Sequence, residues 1–544
     1  MKNIKLVLAV GLVLSAFLVK KFFYGSKSSK VVTFVENIGA DVVLNPHLID
    51  AAESWRVASD IYEGLVDYDV DAKLRLTGAK KYEVSDDGKI YTFYLVEEAK
   101  WANGDPVTAS DYVFALRRAV NPSTLGGAYL SNLYDIKNAK KIVNGELDCS
   151  ELGVYAKDKY ILVFELEHAN FEFLHYLTLP IFLPIHRATV EKYGIKSFST
   201  IESIMSNGPY KITSWVRNSS IELVRSDNYW DKKNMGNVER VKFLMIEDGV
   251  SDLNMFRSKG EHITNVNIPI MEESDYVKEF GSMYKKTPVL CQLRMIFNLD
   301  CEKFKDINVR KAFNVALDRD AINKVVLKGA TNSYSVIHEQ VYGGEFKDEV
   351  KRFADYGWVN LDMKERKKIA IDLIKKAGYS VDKPLKVSIL SSNDVLFRNI
   401  TTAVQDNFKS VFDGLVVCEI VFLDRRTFLA KMDKYDFEIM NCRWIADYNL
   451  PSNYSMLYVG DNLNYSRYKN PKYSKTYFDS IKASSIGEYI SKQHSCSEIA
   501  AADYAFIAYS LMYFRRIIRD NVQGYHSDKN VLDRHSTKYI NIIE

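Results

Sequence analysis

The residues best placed to do chemistry lie in one run, Asn441-Cys442-Arg443-Trp444-Ile445-Ala446-Asp447-Tyr448-Asn449. It gathers an indole, a phenol, a free carboxylate and a guanidinium just after Phe437 to Asn441, a stretch that reads as a buried strand. A loop at the carboxyl end of a strand in an α/β sheet is where ligands usually bind. Such a set offers charge pairing and aromatic surface rather than a reacting group. The same residues also fit a structural loop, with Trp444 in a core and Asp447 capping the next helix.

No other stretch carries reactive chemistry. The chain has no H-E-x-x-H, no G-x-S-x-G, no Walker loop and no G-x-G-x-x-G. His494 and Cys496 are the one close His/Cys pair; further ligands are missing around them, and they read as part of a surface helix. Glu97-Glu98 reads as solvated surface. The cysteines are Cys149, Cys291, Cys301, Cys418, Cys442 and Cys496, with no C-x-x-C spacing, so a metal site is not indicated. No catalytic residue and no cofactor is assigned.

The elements that must position such a loop are legible. Thr108-Ala109-Ser110-Asp111 matches a capping box with Asp in the usual Glu position, after a turn at Asn103-Gly104-Asp105-Pro106. Val113, Leu116 and Val120 share one helix face, and Pro122 stops the helix. Lys89 to Leu95 and Tyr160 to Leu166 are β-branched and aromatic, as strands are. Residues 308–317 and 319–328 read as two short helices. Further on, a helix over 362–377 ending at Gly378, a strand over 384–390, a helix over 398–412, a strand over 415–422, a helix over 426–432 and a strand over 437–441 alternate. That succession predicts a mainly parallel sheet in the C-terminal half.

At 544 residues the chain needs two or three domains. Its formal charge of +3 comes from Lys2, Lys5, Lys20 and Lys21; the remainder is near neutral, which leaves no electrostatic case for nucleic acid. Lys2 and Lys5 precede an apolar run from Leu6 to Val19, short for a membrane span and suited to a signal-peptide core. The small-residue cleavage site is poor, so residues 1–24 are expected to be either a cleaved signal or an uncleaved tether of an exported protein. No Cys precedes Cys149, which argues against a lipidated N-terminal cysteine.

Several stretches together resemble the solute-binding component of bacterial ABC peptide importers, the oligopeptide/dipeptide-binding family. They are Asp60-Ile61-Tyr62-Glu63-Gly64-Leu65, Ala99 through Asp111, Asn207-Gly208-Pro209-Tyr210, Asn228-Tyr229-Trp230, Phe304 through Arg310, Ala316 through Asp320, Ala377-Gly378-Tyr379 and Trp444 through Asn449, in the family's order over almost all of 31–544. The resemblance implies a bilobal α/β clamp of the type II (cluster C) periplasmic-binding-protein kind, with an additional third domain. Lobe I would be 31–60 plus 195–290 plus 510–544, the additional domain 61–194, and lobe II 291–509. It implies a periplasmic, monomeric receptor, released or tethered, that closes on an extended short peptide and delivers it to an ABC permease and its ATPase subunits. An envelope-anchored protein of the same fold, binding a cell-wall peptide, haem or a chelated metal or lacking transport, is the alternative.

By the same resemblance Asp447 pairs with the ligand's α-amino group, and Trp444 with the backbone of Arg443 and Ile445 pairs with its first residues. Asp41 lies near the ligand's amino end, and Tyr129 faces the ligand. The family's arginines toward the ligand's other end are missing: Asn441 and Met432 stand in their places, and no His occurs around Leu396 and Phe397. Arg443 replaces a Gly and Arg425 a Trp. Cys291 matches a family cysteine whose partner position is Ile445, which leaves Cys442 as the nearest substitute for a disulfide.

Overall fold

The computed structural model describes residues 31–543 except 125–126, 128, 259–261, 265–272 and 461–462. The N-terminal segment read as a signal or tether therefore lies outside the described residues.

Two long strands organise the molecule. Tyr284–Phe297 and Phe506–Ile518 run antiparallel, with Tyr284 facing Ile517 and Ile296 facing Phe506. Both read as apolar, β-branched and aromatic runs, as strands covered on both faces should. Beyond the first, the sheet continues through Ile439–Ile445, Leu385–Ser392 and Val416–Leu423. Beyond the second it continues through Ile263–Thr264, Thr33–Asn37, Arg240–Leu244, Ser220–Arg225 and Tyr210–Val216. Each half has its own core. Phe34, Ile221 and Phe243 belong to one, and Phe297, Phe313 and Phe408 to the other.

The long strands are not regularly paired throughout. Pro288 faces Tyr513 and Gln292 faces Leu511, so the first strand carries two more residues than its partner over that span. Pro288 has no N–H for a ladder. The extra residues pair elsewhere: the Leu290 amide donates to the Val531 carbonyl at 2.8 Å, and the Leu290 carbonyl accepts from the Ala446 amide at 2.9 Å.

A separate antiparallel sheet runs in the order Ala79–Val84, Ile90–Leu95, Ile161–Glu165, Val154–Asp158. The helix Ala109–Val120 packs on it through Tyr112 and Leu116. Its predicted cap is present. The Asp111 carboxylate accepts from the Thr108 amide at 2.8 Å and from the Thr108 hydroxyl at 3.0 Å. Gly104 has φ 97°, the left-handed turn a side chain would strain. Gly208 is required for a different reason: a Cβ there would lie 2.7 Å from the Ile61 carbonyl carbon.

In the C-terminal half, Leu385–Ser392 pairs parallel with Val416–Leu423 and with Ile439–Ile445, as the αβ alternation predicts. Four expectations need correction. The strand expected to end at Asn441 runs on to Ile445, because Tyr284–Phe297 satisfies one edge along its whole length. The helix expected over 319–328 is Arg319–Ala321 followed by a π-turn, Ile322–Val326. His494 is not on a surface face: it is buried, 2.5 Å from Glu349 and stacked near Phe346. Cys291 and Cys442 are both free thiols. Cys291 faces Ile445, while Cys442 faces Arg294. Three residues along a strand is about 10 Å and the opposite face, so these two sulfurs do not meet.

A buried acid ties the short helix Phe173–Tyr176 to the helix Ile486–Ala502. Glu172 accepts from the hydroxyls of Tyr176 at 2.8 Å and Tyr489 at 2.5 Å. Burial pushes its carboxyl up from 4.5 to about 7, against the pull of those hydroxyls. A raised acid stabilises the fold fully below its unfolded value and loses that contribution as pH rises through the folded one. Relative to Glu172→Gln, the native chain should therefore lose about 3 kcal/mol of stability between pH 4.5 and 7. Parallel denaturant titrations of the two proteins across that range check this, and a pH-independent difference would contradict it.

Candidate functional site

The strand Ile439–Ile445 has one unequal edge. All seven of its residues face Tyr284–Phe297, from Ile439 opposite Phe297 to Ile445 opposite Cys291. On the other side only Ile439 and Met440 pair, with Ile389 and Leu390. From Asn441 to Ile445 no other strand among the described residues pairs with that edge. An interior strand edge with unused amides and carbonyls is a template for an added strand.

One side chain makes three contacts to the loop beyond this edge. The Asn453 amide oxygen accepts from Trp444 Nε1 at 2.9 Å and from the Asp447 amide at 3.2 Å. Asn453 Nδ2 contacts Asp447 Oδ2 at 3.4 Å. Asp447 is not a helix cap, because the following helix, Ser452–Ser455, has Pro451 at its N-cap and no side-chain cap. Asp447 instead turns toward the additional domain, where Tyr129 donates its hydroxyl to Oδ1 at 2.7 Å. Tyr129 in turn meets the Trp55 ring edge-on, 5.9 Å between centroids. Burial raises the Asp447 carboxyl above its ordinary range, while the Tyr129 hydroxyl, the Arg534 guanidinium and Asn453 pull it back. The arrangement is a half-buried carboxylate at the end of an open strand edge, suited to a cation carried by an extended chain.

The seven residues singled out from the sequence divide. Asp447, Trp444 and Tyr129 come together. Ile445 and the exposed Arg443 lie on the open edge itself. Asn441 is fully buried, donating to Thr401 at 2.8 Å and accepting from Tyr509 at 2.8 Å, so its side chain is committed to the core. Asp41 sits apart: Trp215 Nε1 and Arg217 donate to it at 3.3 Å and 3.2 Å, and it shares no partner with Asp447. Met432 packs with Phe428 and Met440 and supplies no charge. Arg425 lies 3.9 Å from Glu53. The sequence reading missed Asn453, Trp55 and Arg534. Asn453 sits close behind the loop and could have been weighed with it. Nothing in the sequence around Arg534 marks it, because its side-chain partners are 87 or more residues away.

A bilobal α/β receptor with a third domain and an open interior strand edge is the class that this fold and site define. The model of the bacterial extracellular solute-binding proteins, family 5, matches residues 52–466, and the chain belongs to that family. It is 31% identical over 517 residues to the periplasmic oligopeptide-binding protein OppA of Salmonella typhimurium, covering 94% of this chain and 93% of that one. It is 28% identical to the dipeptide-binding protein DppE of Bacillus subtilis, covering 82% and 80%. Among solved structures, Haemophilus influenzae OppA in complex with the peptide RPPGFSPFR superposes with a TM-score of 0.83 at 29% identity, over 95% of this chain and all of that one.

Asn453 makes three contacts that fix the loop, and two of them end on groups that would be left without a partner. Asn453→Ala should cost about 1–3 kcal/mol. Its loss should also speed exchange of the Trp444 indole N–H and of the Asp447 amide, read by NMR hydrogen exchange. Unchanged exchange at both groups would remove Asn453 from this role.

Proposed function

We propose that this protein is an extracytoplasmic receptor that captures short peptides for an ABC importer. The ligand lies extended as an added strand against Asn441 to Ile445, and its α-ammonium pairs with Asp447. The single observation that carries this reading is the unpaired strand edge ending at a half-buried carboxylate. Backbone pairing gives affinity with little regard to side chains, which suits a receptor for mixed peptides. The similarity to proteins named for oligopeptide and dipeptide binding supports the same reading.

Lobe I is taken as 31–60, 195–290 and 510–544, the additional domain as 61–194 and lobe II as 291–509. The two long strands lie at the lobe boundaries and would carry the closing motion. Closed, the monomer would dock on a membrane permease whose ATPase subunits drive release. Trp444 covers the ligand's first residues, Tyr129 orients the carboxylate, and the exposed Arg443 lies along the ligand's path. Neither Asn441 nor Met432 offers a cation at the far end, so ligand length is set loosely. Residues 1–24 would direct export and then be removed or remain as a tether. The role is binding, with no turnover of the ligand.

Calorimetric titration of residues 25–544 with a free-amine peptide library and its N-acetylated counterpart tests this. Asp447→Ala should weaken free-amine peptides by about 2–5 kcal/mol, and acetylation should cost the native protein a similar amount. Equal affinity of native and variant protein for the free-amine library would refute the assignment.

A further inference from the structure

The strongest unassigned feature is a half-buried arginine beside the loop that bears the carboxylate. Arg534 lies in the segment that follows the second long strand. Its own backbone is fixed by Asn530, whose Nδ2 donates to the Arg534 carbonyl at 2.6 Å and whose Oδ1 accepts from the Arg534 amide at 3.3 Å. The side chain reaches three other parts of the chain at once. The guanidinium lies over the Trp55 ring, 3.8 Å from its centroid, on the helix Ala52–Ile61. Nη1 donates to the Thr178 hydroxyl at 3.1 Å in the additional domain. Nη2 donates to the main-chain carbonyl of Asp447.

We propose that Arg534 is the positioning residue for the ligand's amino-end site: it seats the loop bearing Asp447 against Trp55 and Thr178, and sets a cation beside that loop. The inference rests on reading Asp447 as the group that meets the ligand. Only a planar fork can stack on an indole and donate to two acceptors in different segments. The contact to the Asp447 carbonyl is separate from those made by Asn453, so the loop is held by two independent clamps. The other ionisable groups facing this spot are Tyr129, which donates to Asp447, Tyr448 and Tyr454 near Asp447, Asp67 and Tyr68 beside the guanidinium, His175 bonded to the Tyr68 hydroxyl, and Asp50 beside Tyr129. Arg534 is the cation in that set that lowers the Asp447 carboxyl, opposing burial.

The test needs no ligand. The native protein, Arg534→Met and Arg534→Lys are labelled with carboxyl-¹³C aspartate, with Asp447→Asn to assign the signal. Arg534→Met should raise the Asp447 pKa by about one unit or more. Arg534→Lys should hold that pKa nearer the native value yet still raise amide exchange at Asp447 about tenfold, because an ammonium keeps the charge and loses the fork. An unchanged pKa in the Met variant, or native exchange in the Lys variant, overturns the proposal. If the Met variant does not fold, Arg534→Lys decides alone on exchange at Asp447. Peptide binding that survives Asp447→Ala would sink the ligand assignment while leaving these loop measurements intact, so the two failures are distinguishable.

Discussion

The structure depends on one pairing: the two long antiparallel strands that run through both halves of the sheet. Everything on the Ile439–Ile445 side reaches the Thr33–Asn37 side through them. A continuous ladder would make the halves one rigid slab. The two unmatched residues between Pro288 and Gln292 interrupt it at mid-length. The Leu290 amide and carbonyl freed there are used at once, the one donating to the Val531 carbonyl and the other accepting from the Ala446 amide. The irregularity therefore costs few hydrogen bonds while leaving the two halves a place to bend.

The same logic explains why the open edge survives. A free strand edge on a protein surface invites aggregation. Here the edge from Asn441 to Ile445 is an interior one, flanked in the sheet by Leu385–Ser392, and it ends at a loop pinned by Asn453 and bonded to Tyr129. Charge is placed economically as well. Arg56 binds Glu36 at 2.8 Å and Asp60 at 3.1 Å, and Tyr525 donates to Glu36 at 2.7 Å, which seats the segment after the second long strand on the first half. That segment then presents Arg534 to the site.

Much of this was legible in the residues. The helix at 109–120, its cap and the alternating elements from 363 to 445 follow from local chemistry and periodicity, which need only near neighbours. The loop at Trp444 to Asn449 stood out because four functional side-chain types are crowded there. What local reading could not supply was register. Whether Asn441 belongs to a ligand or to Tyr509 depends on which residue of another strand it faces. The cysteine pairing failed for the same reason, since Cys291 meets Ile445 and not Cys442. Arg534 was invisible because its function comes from Trp55, Thr178 and Asp447, none of which lies near it in sequence.

That spread has a kinetic meaning. Contacts between residues far apart in the chain close large loops and form late. Trp55, Tyr129, Asp447 and Arg534 are among the most widely separated partners in the molecule. The sheets and helices that support them can be in place while the site itself is still apart. Competence to bind is then the last property the folding chain acquires. Substitutions at these four positions should fall on the unfolding limb of a chevron and leave the folding limb nearly unmoved.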